Sequence, residues 1–194
     1  MTDASPPPAR RRIAVYCASR VGEDPRFAEA ADAIGAAIAS RGLDVVYGGA
    51  RIGLMGRMAD AALAGGSHVI GVLSDELADR EIAHEGLSEL RSVADITTRK
   101  AMMFELADAY VALPGGIGTL DELFEVVCFG YLGIHSRPVG LLNVAGYYDH
   151  LLGFLEHTVS VGLAKERVRS ELVVSEDPAE LIATLADRVA VPGL

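Results

Sequence analysis

The sequence predicts an α/β chain with a Rossmann-like, doubly wound parallel sheet flanked by helices on both faces. Three observations carry this. Short apolar, β-branched runs alternate with longer segments of helical spacing along the chain, the mark of repeated strand–helix–strand units. The runs are apolar throughout rather than in alternation, as strands buried on both faces must be. Hydrophobic residues make up 51% of the chain and aromatics only 6%, so the core is built from small and branched side chains, with close-packed helices and tight turns. Right-handed crossovers then wind helices onto both faces.

The elements follow in order. Ile13-Ala14-Val15-Tyr16-Cys17 reads as the first buried strand. A helix is predicted over 25–40, with Pro25 in its first turn and Gly42 stopping it. Leu43 to Tyr47 is the second strand and runs into Gly48-Gly49; Leu54 to Ala64 is a helix closed by Gly65-Gly66. His68 to Val72 is the third strand. From Leu73 to Asp95 the pattern is irregular and charged, with room for a short helix and a short extended piece at Leu90 to Val93. Helical spacing returns over Thr98 to Asp108, followed by a strand at Tyr110 to Leu113 and a helix from Thr119 to Tyr131. A strand at Val139 to Leu142, a helix over Tyr147 to Val161, a short strand at Leu172 to Val174 and a helix from Pro178 to Arg188 complete the pattern.

A length of 194 residues suits one such domain, expected over 13–194. No internal repeat or linker divides it. Residues 1–12, with three prolines followed by three arginines, lack the apolar stretch of a signal peptide and read as a disordered tail. The formal net charge of -10 argues against nucleic acid as a partner. A small anion remains compatible with a local positive patch. The two cysteines, Cys17 and Cys128, sit in apolar segments outside any metal-ligand spacing, which points to a reducing cytoplasm. No apolar run reaches the roughly 18 residues of a membrane span.

Three turns follow predicted strands and so fall on one sheet edge: Cys17-Ala18-Ser19, Gly48 to Gly53, and Pro114-Gly115-Gly116-Ile117-Gly118-Thr119. Ligands bind at that edge in open parallel sheets. The third turn is the strongest signal. Its glycines let backbone N–H groups approach a ligand, and the helix behind it favours an anion such as phosphate. One such turn alone reads equally well as a tight strand-to-helix connection; two on the same edge favour a ligand.

Glu122 has two readings. Thr119-Leu120-Asp121-Glu122 matches a capping box, with Thr119 capping the helix and Glu122 returning the bond. The alternative is a carboxylate facing the ligand. Arg99-Lys100 falls at a predicted helix start, where the dipole disfavours cations. A compensating anion is expected there, either a ligand phosphate or a carboxylate such as Glu122. Glu81 reads by type as a surface acid in a segment able to fold over the site. The five histidines are scattered and no metal site is expected. The spacing of Gly48 to Gly53 is not the dinucleotide fingerprint, and neither a Walker loop nor a G-x-S-x-G elbow occurs.

Together these motifs identify a family. The chain resembles the LOG family of cytokinin riboside 5′-monophosphate phosphoribohydrolases, often mislabelled "lysine decarboxylase". The family's P-G-G-x-G-T-x-x-E matches Pro114 to Glu122, and its R-K matches Arg99-Lys100. Val46-Tyr47-Gly48-Gly49, Gly53-Leu54-Met55-Gly56, Leu132-Gly133-Ile134-His135, Pro138 to Val144 and Gly146-Tyr147-Tyr148 also fit, so the similarity runs from about Ile13 to Leu185. Four positions depart. Ile96-Thr97-Thr98 stands where the family usually has M-H-x, and Ile117 replaces a frequent aromatic. Asp121 replaces a glutamate and Cys128 a threonine. The departures bear on base and N6 side-chain preference and leave the catalytic pair intact.

The resemblance implies hydrolysis of the N-glycosidic bond of an adenine-type nucleoside 5′-monophosphate, without a cofactor, by a homodimer. Arg99 and Glu122 are the implied catalytic pair. Gly115, Gly116, Gly118 and Thr119 would hold the phosphate, and Glu81 and Lys100 align with substrate-contact positions. Ser19, Gly48, Gly49, Ile117 and Cys128 complete the expected substrate-binding set. Two rivals stay open: a broader purine nucleotide nucleosidase acting in salvage, and a nucleotide or molybdenum-cofactor carrier without turnover. A true lysine decarboxylase is rejected, because Lys100 and Lys165 are the only lysines and neither falls in a recognisable pyridoxal phosphate site.

Overall fold

The structure, a computed structural model, describes residues 10–77 and 82–190. Seven strands form one sheet: β1 (Arg12–Tyr16), β2 (Asp44–Tyr47), β3 (Val69–Ser74), β4 (Glu89–Val93), β5 (Ala109–Ala112), β6 (Val139–Leu142) and β7 (Leu172–Ser175). Their order is β4-β3-β2-β1-β5-β6-β7, with every pairing parallel. Seven helices accompany them: α1 (Pro25–Ser40), α2 (Gly53–Ala64), α3 (Ile96–Leu106), α4 (Ile117–Tyr131), α5 (Asp149–Ser160), α6 (Arg167–Ser170) and α7 (Pro178–Ala190).

The pleat divides the core in two. Ile13, Val15 and Cys17 point into the layer shared with α1, α2 and α7, while Ala14 and Tyr16 join the layer under α3, α4 and α5. The small residues do specific work between α1 and α2. A Cβ on Gly35 would stand 2.3 Å from the Met58 carbonyl oxygen and 2.9 Å from Ala61 Cβ, so the two helices approach nearly backbone to backbone.

β1 is the pivot. Ile13 lies opposite Val45 of β2 on one side and Ala109 of β5 on the other. The chain winds outward through β2, β3 and β4, then returns to β5 and winds the other way. At that reversal the loops after β1 and β5 diverge and leave a crevice at the carboxyl ends of the strands.

Most predicted boundaries stand within a residue or two. The irregular stretch holds more order than its pattern suggested. After a 3-10 turn at Asp75–Leu77, β4 pairs along its length with β3. It is an edge strand whose burial alternates, with Leu90 exposed and Val93 buried, so it lacks the continuous apolar run of its neighbours. α3 starts at Ile96, two residues early, because the Asp95 carboxylate accepts hydrogen bonds from Thr98 N (2.7 Å) and Thr98 Oγ1 (3.0 Å). The four-residue α6 was not expected; so short a helix has no period to read. β1 begins at Arg12, and Arg10 already donates to the Gly66 carbonyl. Among the described residues, no helix is long and apolar enough to cross a membrane.

Candidate active site

A cavity of about 380 Å³ opens at the crevice between the β1 and β5 loops. Its walls come from Cys17 to Arg20 after β1, Gly48 after β2, Met55 of α2, Arg99 of α3, and Gly116 to Thr119 with Glu122 at the start of α4. All three turns singled out in the sequence contribute.

The β5 turn carries an open helix N-terminus. Gly116, in extended conformation (φ -87°, ψ -156°), is the N-cap, and no side chain caps the first turn of α4. Leu120 N donates to Gly116 O at 3.0 Å as the first intrahelical bond. The capping box predicted from Thr119 to Glu122 therefore does not form. The two glycines let the chain turn helical two residues earlier, which places Thr119 inside the first turn. Its side chain lies where a Cβ on Gly115 would stand 2.1 Å from Thr119 Oγ1. Gly116 and Gly118 look outward, and a Cβ on either would meet nothing within 4 Å. Unpaired N–H groups, a positive helix end and empty space in front of them favour an anion.

The turn is anchored from behind by residues to which the sequence reading attached no role. The Tyr147 hydroxyl donates to Gly115 O and the Tyr148 hydroxyl to Leu113 O, each at 2.6 Å. Burial pushes the Tyr148 hydroxyl far above its ordinary pKa, which keeps the donor protonated. Asn143 Oδ1 accepts from Tyr148 N at 2.7 Å, and its Nδ2 donates to Asp149 at 2.7 Å.

Arg99 is a buried cation, its side chain only 7% exposed. Its Nε donates to Val72 O at 2.9 Å and its Nη2 to Gly48 O at 3.1 Å, so the ends of β3 and β2 clamp the guanidinium. Nη1 lies 4.0 Å from Glu122 Oε1, whose side chain is 14% exposed. Removing a cation from water costs several kcal/mol unless it is paired and hydrogen-bonded; the two carbonyls and Glu122 meet that requirement. Gly48 is dictated by this packing, since a Cβ there would fall 2.0 Å from Arg99 Nη2. The compensating anion expected for Arg99 is Glu122. For Lys100 it is Asp121 and Glu125, at 3.0 and 2.8 Å. Burial works to lower the Lys100 pKa, but the hydrogen bonds it donates to those two carboxylates outweigh it and raise it.

The predicted residues separate accordingly. Ser19, Gly48, Arg99, Gly116, Ile117, Gly118, Thr119 and Glu122 line the cavity. Ile117 stands at the rim, 83% exposed. Gly115 lies behind the wall against Thr119. Gly49 serves the turn, with φ +81° and its Cβ position against Val72 and Leu90. Lys100 and Cys128 are outside the lining, and Cys128 is exposed farther along α4. Glu81 lies outside the described residues. Three lining residues were not anticipated, Val15 of β1, Arg20 and Met55. Arg20 directly continues the Cys17-Ala18-Ser19 turn and Met55 sits in the quoted Gly53-Leu54-Met55-Gly56, so adjacency was their available signal. Tyr16, at the end of β1, has its hydroxyl pKa pushed up by burial and next by the negative charge of Glu122.

Among the described residues, Arg20, Arg99 and Glu122 are the charged ones lining the cavity. Their sum is locally positive within an acidic chain, and the helix end adds to the field. No lysine lines it. Among the described residues, no group of three or more His, Cys, Asp and Glu side chains is placed to hold a metal ion.

Comparison with known proteins adds a family and a fold. Residues 55–185 match the family model described as "Possible lysine decarboxylase". The cytokinin riboside 5′-monophosphate phosphoribohydrolase LOG1 of Arabidopsis thaliana is 46% identical over 179 residues, which cover 92% of this chain and 84% of that protein. The enzyme LOG of Oryza sativa subsp. japonica is likewise 46% identical, over 92% of this chain and 74% of its own length. Among solved structures, the molybdenum cofactor binding protein of Rippkaea orientalis superposes with a TM-score of 0.72 at 18% identity, over 95% of this chain and 100% of that one. The Moco carrier protein of Chlamydomonas reinhardtii gives 0.68 at 19% identity, over 94% of this chain and 99% of that one. At such identities the structural likeness speaks for the fold alone.

Proposed function

We propose, on the premise that this chain belongs to the LOG family matched by the model "Possible lysine decarboxylase", that it is a nucleoside 5′-monophosphate phosphoribohydrolase. It hydrolyses the N-glycosidic bond of cytokinin riboside 5′-monophosphates and of AMP, releasing the adenine-type base and ribose 5-phosphate. The observation that carries the reading is the Arg99–Glu122 pair, 4.0 Å apart, in a cavity that also contains the open N-terminus of α4.

The chemistry follows from charge. Breaking the bond between the anomeric carbon and the base nitrogen builds positive charge on the ribose and negative charge on the base. A carboxylate beside the anomeric carbon stabilises the first, or takes a proton from the water that supplies the new oxygen–carbon bond. Glu122 has that role. Arg99, always charged and clamped by two carbonyls, stabilises developing negative charge or the phosphate without moving a proton. Gly116, Gly118 and Thr119 at the α4 terminus hold the phosphate, with Ser19 on the opposite wall and Arg20 as a second cation. Anchoring the phosphate supplies binding energy that positions the reacting ribose.

The reading includes a homodimer in a reducing cytoplasm. Exposed apolar residues Phe124 on α4, Leu132 just after its end and Phe154 on α5 support the first. The absence of a disulfide at either Cys17 or Cys128 is consistent with the second. In a dimer, Lys100, Gly49 and Cys128 keep their proposed parts in substrate binding through the partner copy or by indirect support of the walls, and Glu81 remains a proposed substrate contact.

The test is a product assay across AMP, GMP, CMP, N6-isopentenyl-AMP and the nucleoside of the last. Glu122→Gln should lower release of adenine from AMP by on the order of 10²- to 10⁴-fold while leaving the fold intact. Near-normal turnover in that variant would sink the assignment. Equal activity on the nucleoside would refute the phosphate anchor, and guanine release as fast as that of the prenylated adenine would select the broader salvage nucleosidase. Saturable AMP binding with no ribose 5-phosphate formed would select a carrier.

A further inference from the structure

A larger cavity, about 790 Å³, lies at the opposite edge of the sheet. Val139 and Leu172, the first residues of β6 and β7, form part of its floor, and Gly130 and Tyr131 at the end of α4 form one wall. In a parallel sheet the amino-terminal edge is remote from the carboxyl-edge crevice, so this cavity is separate from the one at Glu122.

Its charge runs against the rest of the chain. Arg137, Arg167 and Arg188 line it, with Glu171 as the one acid among the described residues, in a protein where 27 acidic residues outnumber 17 basic ones. The three cations are not equally engaged. Arg137 is structural: its Nη1 donates to Phe104 O (2.6 Å) and to the Tyr110 hydroxyl (2.7 Å), and its guanidinium stacks over the Phe104 ring. Arg167 is half engaged. Its Nη2 donates to Gly130 O at 2.6 Å, but its Nε is buried without a hydrogen bond, and Glu171 at 3.6 Å is too far to accept one. Arg188, exposed in the last turn of α7, has no ion-pair or hydrogen-bond partner among the described residues. A buried, unsatisfied charged donor is uncommon and costs free energy until something accepts from it.

The imidazole in the lining does not offset this charge. His135 Nδ1 accepts from Arg137 N at 3.0 Å, which leaves Nε2 to carry the proton it donates to Val126 O at 2.8 Å. Its imidazole is therefore neutral and spent on the loop. The Tyr131 ring, with the Arg167 guanidinium 5.4 Å from its centroid, adds a flat apolar surface beside the cations.

We infer that this second cavity binds a small phosphorylated molecule, its phosphate accepting from Arg167 and Arg188 and its organic body lying against Tyr131. The ligand class is set by the chemistry: an oxyanion that takes the donors left over on two guanidinium groups, attached to a body small enough for the volume. Inorganic pyrophosphate and a phosphorylated sugar or nucleotide share that oxyanion chemistry, and the experiment separates them.

The experiment is calorimetric titration of the full-length protein with pyrophosphate, ribose 5-phosphate and AMP, in four versions: wild type, Arg188→Glu, Arg167→Gln and Glu122→Gln. Circular dichroism confirms the fold of each. The expected result is a binding event below about 1 mM that survives Glu122→Gln but weakens about tenfold or more in Arg188→Glu and in Arg167→Gln. Pyrophosphate binding at that site identifies the phosphate as the recognised group; binding of ribose 5-phosphate or AMP alone identifies the organic body as required. If no probe binds the wild type beyond a Glu122-dependent site, or if both arginine variants bind all probes as the wild type does, the inference is overturned. Pyrophosphate and ribose 5-phosphate are bound without turnover, and AMP binding is read in the Glu122→Gln background, so this outcome is independent of the hydrolase reading.

Discussion

The turns after β2 and β5 are both rich in glycine, yet their glycines answer opposite demands. After β2, a Cβ on Gly48 would fall 2.0 Å from Arg99 Nη2 and one on Gly53 only 2.2 Å from the Ser19 carbonyl carbon. Protein fills those spaces. After β5, a Cβ on Gly116 or Gly118 would meet nothing within 4 Å. There the absence of a side chain leaves room in front of the helix N-terminus. The first turn shapes the wall and seats the cation; the second presents bare N–H groups to the cavity. A glycine cluster alone does not distinguish the two cases, because both are met by lacking a Cβ.

Substitutions divide along the same line. The largest effect on stability is expected from Gly53→Ala, which places a methyl group into the Ser19–Arg20 backbone at a residue with φ +64°. A loss of about 3 kcal/mol or more by urea denaturation is expected; a loss below about 1 kcal/mol would mean that the β1 loop yields and the wall is soft. Gly48→Ala comes next. It displaces the Arg99 guanidinium, so turnover of AMP should fall on the order of 10²-fold with a smaller change in stability. Unchanged turnover would separate Arg99 from the chemistry.

Smaller effects test the β5 turn. Tyr147→Phe removes the hydrogen bond to Gly115 O and should cost about 1 kcal/mol in thermal unfolding, with KM for AMP rising as the loop loosens. Gly118→Ala should have the smallest and most discriminating effect. Gly118 is an exposed helical residue facing open space, so alanine should leave stability unchanged or raise it by up to about 1 kcal/mol. KM for AMP should rise nonetheless, since the methyl group intrudes on the proposed phosphate site. Stability and affinity falling together would erase the distinction between the two turns.

Much of this was legible because it is local. The strands and long helices appear wherever a segment of one period is flanked by turn residues, as at Pro25–Ser40 and Val139–Leu142. Pro114 to Glu122 stood out as a glycine-rich turn between a strand and a helix, and Arg99-Lys100 because cations at a helix start oppose the dipole. The misreadings share a cause. Thr119 matched a capping box, but whether Gly116 or Thr119 begins α4 depends on the path of the chain out of β5. Arg99 and Lys100 are adjacent, yet a turn of 100° per residue along α3 separates their fates. Arg99 enters the cavity beside Glu122, and Lys100 reaches Asp121 and Glu125 on the flank of α4.

By itself the sequence determined the alternation of elements, the parallel sheet and the edge of that sheet on which the candidate site lies, because hydrophobic period and turn chemistry are properties of contiguous residues. Its motifs also named the catalytic candidates. Only the tertiary structure decided which candidates meet. Arg99 and Glu122 are 23 positions apart in the chain, and their meeting depends on strand order, on the reversal at β1 and on the carbonyls of Gly48 and Val72 at the ends of two further strands. The second, arginine-lined cavity is a product of the same kind, gathered from α4, the β6 and β7 entries, α6 and α7. Such sites form where separate elements converge, and convergence is set by packing rather than by any local pattern.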